Sequence, residues 1–350
     1  MSKNVFFKGF WILFTVFHLY LFVYLIFLKK RKTDISNKTN IALFIPGVIS
    51  GSPSYKEMYD SLFEFKKKHE DLEIKVLEAG FNQSEWIEML EKLLNSKKYD
   101  FLITTNNAMQ DIVDSVSSNY PHTKFLIFDS LVKNTNNQVY SVSYNVAEEA
   151  YILGYYVGLF LMEFIKSGFG NAALIAGQNY PAMRDYIYYY FKKGILDVGV
   201  RAEVYYRVLG NWHDSNLAKL LSDSLIKDSG ALVILPIVGP AVEGVLSSVR
   251  ENNISAVLFD SEDYLDNKEN IIGSGITNQK YYVSYILDKA LKSEINYGNS
   301  DIFGIKHKGV LFNVSNVFYL EQTSQKLKED LLKKIEEVSA NGIKIDLEQN

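Results

Sequence analysis

The stretch IALFIPGVISGSPSYKEMYDSLFEFKKKHEDLEIKVL (41–77) holds one complete strand–helix–strand unit. IALFI (41–45) is apolar at every position, which suits a parallel strand covered on both faces. A turn rich in Gly, Pro and Ser follows, then an amphipathic segment over 54–69, then EIKVL (73–77). Two strands joined through a helix cannot form a hairpin; they pair in parallel through a right-handed crossover.

The same alternation continues along the chain. Further strand candidates are DFLIT (100–104), KFLIF (124–128), VYSVSY (139–144), NAALIA (171–176), AEVYY (202–206), ALVIL (231–235), SAVLF (255–259) and IIGSGI (271–276). Helical segments fall at 107–119, 147–166, 181–198, 215–228, 240–252 and 279–292. One more is signalled by Asn82 with Glu85 three residues on, a capping pattern, followed by Trp86, Met89, Leu90, Leu93 and Leu94 at helical spacing. The charged run LKEDLLKKIEEV (327–338) predicts a helix with one packed stripe. Ten strands in two sets of five predict an α/β fold of two doubly wound parallel-sheet lobes, broken near 144–147.

Composition narrows the class. Of 350 residues, 47% are hydrophobic and 22% charged, a globular balance. All six charges in residues 1–32 are basic, which leaves 31 basic against 41 acidic residues in the remainder. So acidic a body argues against nucleic acid as a partner. Cysteine is absent, which excludes disulfides, thiolate metal sites and a lipid-modified N-terminal cysteine. GFWILFTVFHLYLFVYLIFL (9–28) carries no formal charge over twenty residues, and about twenty span a bilayer as a helix. Lys29, Lys30, Arg31 and Lys32 follow it in place of a small-residue cleavage site, so residues 1–32 read as an uncleaved anchor, with TDISNKTN (33–40) as a tether. Four basic residues after the span against two before it would, on charge alone, put the body in the cytoplasm.

Evidence for catalysis is thin. The turn PGVISGSPSY lacks the glycine spacing of a dinucleotide or phosphate loop, and no G-x-S-x-G or H-E-x-x-H occurs. His69, His122, His213 and His307 are scattered, against a metal cluster. Polar, aromatic and glycine residues instead collect just past strand ends: Gly47 to Lys56, Thr105-Asn106-Asn107, Asp129, Gln178 to Pro181, Gly210 to Asp214, Pro236 to Pro240 and Asp260 to Asp263. Ligands of open α/β sheets bind there.

Several of these loops carry a likeness. YPHTKFLIFDS (120–130), SVSYNVAEEAYILGYYVG (141–158), AGQNYPAMRDYIYYYFKKG (176–194), GNWHDSNLAK (210–219), VGPAVEGVL (238–246) and FDSEDYL (259–265), in this order, resemble the basic membrane protein or PnrA-like family over about residues 41–345. The resemblance implies a type I periplasmic-binding-protein fold. Its lobes would be 41–143 plus 278–300 and 144–277 plus 301–350, closing on a purine nucleoside for delivery to an ABC permease. It also implies no cofactor, no covalent chemistry and a body outside the cell membrane, against the charge count above.

The resemblance further implies site residues. Trp212 and Tyr55 match the two rings that sandwich the base, Asp260 the acceptor of ribose hydroxyls, and Gly239 a backbone close to the sugar. Asn107, Asp129, Lys56, Thr277 and Lys280 complete the candidates: Thr277 stands near an expected sugar-binding lysine, and Lys280 lies one turn on. Departures are Pro46 for a base-recognising aspartate, Lys56 for an asparagine, and Gly51 and Ser52 for acidic residues. Each candidate has an ordinary alternative: Asp260, Asn107 and Asp129 as caps or braces, Trp212 and Tyr55 as packing, Lys56 as a solvated charge. A sensory or surface-interaction protein on the same fold is the alternative function, and a nucleoside-cleaving enzyme a third.

Overall fold

The computed structural model describes His18 and residues 38–131, 136–164, 170–259 and 267–343. Apart from His18, the anchor expected over 1–32 lies outside the described residues, as do most of the tether and Asp260. Among the described residues no helix is long and apolar enough to cross a membrane.

The first lobe starts with β1 (Thr39–Ile45), α1 (Pro53–Lys66), β2 (Leu72–Glu78), α2 (Trp86–Ser96), β3 (Phe101–Thr105), α3 (Met109–Ser117), β4 (Lys124–Phe128) and β5 (Val139–Tyr144). The chain then enters the second lobe with α4 (Val146–Phe164), β6 (Asn171–Ala176), a π-helical stretch (Ala182–Tyr188) running into α5 (Tyr189–Asp197), β7 (Val204–Val208), α6 (Ser215–Ser229), β8 (Ala231–Ile237), α7 (Val242–Glu251), β9 (Ser255–Leu258) and β10 (Ile271–Thr277). It returns with α8 (Gln279–Leu291) and β11 (Ser300–Phe303), and ends with β12 (Val310–Phe312), α9 (Val317–Gln322) and α10 (Gln325–Asn341).

Two six-stranded sheets result, ordered β11-β5-β4-β3-β1-β2 and β12-β10-β9-β8-β6-β7. Pairing is parallel apart from β12, which runs antiparallel to β10 at the second sheet's edge. The two lobes are thus doubly wound α/β layers, as the alternation predicts. The two short edge strands, β11 and β12, were not foreseen. β11 pairs with β5 in the first sheet, so residues 301–303, assigned by sequence to the second lobe, lie in the first.

Ile41, Ala42, Leu43, Phe44 and Ile45 are all fully buried because helices cover both faces of the sheet. On one face lie Met58 and Leu62 of α1 with Tyr282 and Ile286 of α8. On the other lie Trp86, Leu90 and Leu93 of α2 with Val113 of α3. Each such side chain, fully buried, contributes roughly 1.5–3 kcal/mol relative to exposure. In the second lobe α4 packs closely on α5 through glycines: a Cβ on Gly154 would fall 2.0 Å from the Phe191 carbonyl oxygen, and one on Gly194 2.2 Å from that of Tyr151. The capping pattern at residue 82 folds differently from expectation. Asn82 Nδ2 donates to Glu85 Oε1 at 2.7 Å, and a 3-10 turn over Gln83–Glu85 precedes α2.

The chain passes between the sheets three times: at Asn145 after β5, at Asn278 after β10 and at Gly304 after β11. Every passage leaves from the carboxyl end of a strand. The carboxyl ends of both sheets, with their loops, therefore flank the connections and border the space between the lobes.

Candidate functional site

In the first lobe the site begins where β1 runs out. Pro53 opens α1 at its first position, a place where its missing N–H costs nothing, and so sets Tyr55 in the first turn. The Tyr55 ring lies against Gly47, where a Cβ would come 2.7 Å from Tyr55 Cε2. Its hydroxyl donates to the Pro46 carbonyl at 3.0 Å and accepts from Asn106 Nδ2 at 3.0 Å. Pro46 therefore serves through its backbone, positioning the ring. Asn106 takes a left-handed conformation, φ 88°, and its Oδ1 accepts the Ala108 N–H at 2.9 Å. Burial pushes the Tyr55 phenol up; the Asn106 bond offsets this in part and the Asp129 charge adds to it. Tyr55 is thus a neutral, fixed wall.

The second lobe also brings a ring onto the glycine after its first strand, this time from the loop after its edge strand β7. Gly177, just past β6, meets the face of Trp212: a Cβ there would fall 2.4 Å from Cε3 and 2.6 Å from Cζ3. No other residue leaves room for the indole to lie so close to the backbone. Gly239, past β8 with φ 58°, borders the same side chain, with its Cβ position 3.5 Å from Trp212 Cβ. The Trp212 carbonyl accepts the Ala241 N–H at 3.1 Å. Asn211 Oδ1 accepts the N–H groups of His213 and Asp214, and Gln178 Nε2 donates to the Gly210 carbonyl, which stiffens the loop. Trp212 as a residue nonetheless stays 37% exposed. One face of the ring is held on glycine, and the side chain is only partly covered.

The glycine seats share one backbone bond. The Gly80 N–H donates to the Gly47 carbonyl at 2.9 Å, and the Gly210 N–H to the Gly177 carbonyl at 2.9 Å. In each lobe the glycine after the first strand is thereby tied to a left-handed glycine after the edge strand.

The remaining candidates divide. Asp129, φ 51°, follows β4 beside β5 and contributes its charge at Tyr55 and Tyr144. Asn107 is exposed and only its carbonyl engages, with Gln110 N–H; Asn106 holds the ring instead. Lys56 is exposed and paired with Asp60 one turn along α1. Lys280 bonds Glu64 at 3.1 Å across the α1–α8 contact. Thr277 donates its hydroxyl to Glu149 Oε2 at 3.2 Å. Two features escaped the sequence: Gly177 as the seat of the indole, and Asn106 as the brace of Tyr55. A glycine or asparagine directly after a buried strand was the available signal for both. Among the described residues no group of three His, Asp or Glu is placed to hold a metal ion. What the site offers is two flat rings, one after β1 and one after β7, each against the glycine that follows the first strand of its sheet.

A family model described as "ABC transporter substrate-binding protein PnrA-like" matches residues 38–344. Among solved structures, the chain is similar to a solute-binding protein of an ABC transporter system from Aeropyrum pernix K1. Their identity is 15% over 85% of this chain and 86% of that one, with a TM-score of 0.67. It is similar also to a transcriptional activator of the comK gene from Bacillus halodurans, 14% identical over 87% and 98% of the two chains, TM-score 0.67. A third is an ABC transporter periplasmic solute-binding protein from Actinobacillus succinogenes 130z with bound D-allose, 15% identical over 79% and 97%, TM-score 0.60. Identities this low speak for the fold alone.

Proposed function

The chain belongs to the PnrA-like family of ABC transporter substrate-binding proteins, and on that premise we propose that it binds a nucleoside, of the purine class, between its lobes. The observation that carries this reading is the indole of Trp212 seated on Gly177 with the side chain only partly covered. A heterocycle stacks on that ring, and Tyr55, held on Gly47, supplies the wall from the other lobe. Asp260 accepts hydrogen bonds from the sugar hydroxyls, and the backbone at Gly239 approaches the sugar. An ionised acceptor suits two vicinal hydroxyls. Lobe closure on the ligand then presents one shape to a permease in the membrane. The apolar span at 9–28 holds the body at the outer face of the cell membrane, in place of the lipid that a cysteine would carry.

Calorimetric titration with guanosine, inosine, adenosine and, as a sugar-only arm, D-ribose tests the reading. Stacking on an aromatic ring is worth about 1–3 kcal/mol per base, so Trp212→Ala weakens binding by roughly 5- to 150-fold. Absence of heat with every nucleoside on the parent protein overturns the proposal.

A further inference from the structure

All three passages between the lobes meet at the start of α4, and two acidic side chains there reach the other two passages. Glu148 is 9% exposed and Glu149 3%. Glu148 Oε2 accepts the Ile305 N–H at 2.7 Å, just past Gly304 of the third passage. Glu149 Oε2 accepts the Thr277 hydroxyl at 3.2 Å, at the entrance of the second. Asn145, in the first passage, ties the set together. Its N–H donates to the Phe303 carbonyl at 3.1 Å and its Oδ1 accepts the Glu148 N–H at 3.2 Å.

The fit around both carboxylates is close. A Cβ on Gly304 would fall 2.2 Å from Glu148 Oε2, and one on Gly275 2.1 Å from Glu149 Oε1. Glycine at these two places is what lets the carboxylates reach the strand ends. The second and third passages are also joined directly, the Asn278 N–H donating to the Gly309 carbonyl at 2.8 Å. Beside Glu149 lies an apolar cavity of about 260 Å³, lined among others by Ile152, Ile305, Leu332 and Ile335. It leaves the third passage and the C-terminal helix free space on one side, in an interior that is otherwise close-packed.

We infer that Glu148 and Glu149 are positioning residues for lobe movement, a two-carboxylate clamp that fixes how the three passages lie against each other and so sets the resting angle between the lobes. Neither touches a ligand in this scheme. The inference concerns the ligand-free protein and is independent of which solute is bound. A chain without cysteine accepts a spin-label pair directly. Gln83→Cys, past β2, and Leu220→Cys, on α6, place one exposed label in each lobe.

Double electron–electron resonance on the full-length, ligand-free protein then reads the inter-lobe distance. Glu148→Ala and Glu149→Ala are expected to shift or broaden that distribution by more than about 2 Å, the scale of real domain rearrangement. Glu148→Gln and Glu149→Gln, which keep an acceptor oxygen, are expected to restore it. A purely structural role would lower the melting temperature without moving the distance. Alanine variants that fold yet keep the parental distribution overturn the inference. Should they fail to fold, Thr277→Val removes only the donor to Glu149, and an unchanged distribution in that variant overturns it equally. A failure of nucleoside binding in the separate titration leaves this distance measurement intact.

Discussion

Tyr55 and Trp212 meet corresponding glycines of the two lobes but come from different strand ends, the helix after β1 and the loop after β7. They are held there by different means. Each ring lies on a glycine past the first strand of its sheet, and each of those glycines accepts a hydrogen bond from a second glycine past the edge strand. Tyr55 is then fastened at its polar end by Pro46 and Asn106 and is partly buried. Trp212 is fastened through the backbone of its own loop, and the residue stays 37% exposed. The difference teaches that the first lobe's ring is preset by its polar end, while the second's is, under the proposed function, the surface a ligand would meet. A preset wall lowers the ordering cost of binding, and an open platform supplies stacking area.

Breaking the seat of each ring tests this contrast most strongly. Gly177→Ala drives a Cβ to 2.4 Å from the indole, and overpacking of this kind costs about 1–3 kcal/mol unless the ring swings away. The expected outcome is a changed indole fluorescence and a loss of nucleoside affinity as large as that of Trp212→Ala. Gly47→Ala, 2.7 Å from Tyr55 Cε2, should instead lower the melting temperature, since that ring is pinned at both ends. If the two variants behave alike, the contrast between wall and platform is wrong.

Tyr55→Phe comes next in size. It leaves the Asn106 amide and the Pro46 carbonyl without their partner, at about 1–2 kcal/mol of stability, while the flat face remains. Denaturant unfolding should register that loss, and calorimetry should find affinity little changed. A loss of affinity matching that of Trp212→Ala would make the phenol a ligand-reading group and sharpen the picture of the first lobe.

A smaller effect is expected at Glu148. Burial raises its carboxyl above the usual 4.5, with the Ile305 N–H and the His307 charge pulling part of the way back. The folded state thus holds this proton more tightly than the unfolded chain. Its contribution is present below pH 4.5 and declines as pH rises through the folded value. Melting curves across that window should show a flatter profile for Glu148→Gln than for the parent. Smallest of all, Lys56→Ala and Lys280→Ala should leave nucleoside affinity unchanged, because Asp60 and Glu64 hold these lysines on exposed helix faces. A clear drop in either titration would bring that lysine into the cleft.

How much of this was legible follows from the physics of each element. Fully buried strands such as IALFI announce themselves, because burial on both faces demands an unbroken apolar run. β11, reading SDIF, is exposed at three of its four positions, and β12, reading VLF, is only three residues long, so neither leaves an unbroken apolar run. The seven π-helical residues before α5 left no pattern distinct from an ordinary helix. At the site, the loops after strands were readable from position, and the two rings were singled out by the family resemblance. Their seats were not, since a glycine's role there depends on which ring the fold brings over it. Lys56 and Asp60 pair at the i, i+4 spacing of one helix, whereas the Lys280–Glu64 pair joins helices more than two hundred residues apart in the chain and leaves no local pattern.

One topological fact reaches beyond recognition. The first sheet is closed at its edge by Ser300–Phe303, and one of its covering helices is Gln279–Leu291. A ribosome must therefore deliver five of the second sheet's six strands before the N-terminal lobe can be completed. Ordinary modular proteins finish their leading unit early; this one keeps an open edge until about six-sevenths of the polypeptide exists. Truncation before residue 300 would spoil the earlier-made lobe as surely as the later one, so neither half can be produced by simply cutting the gene in two.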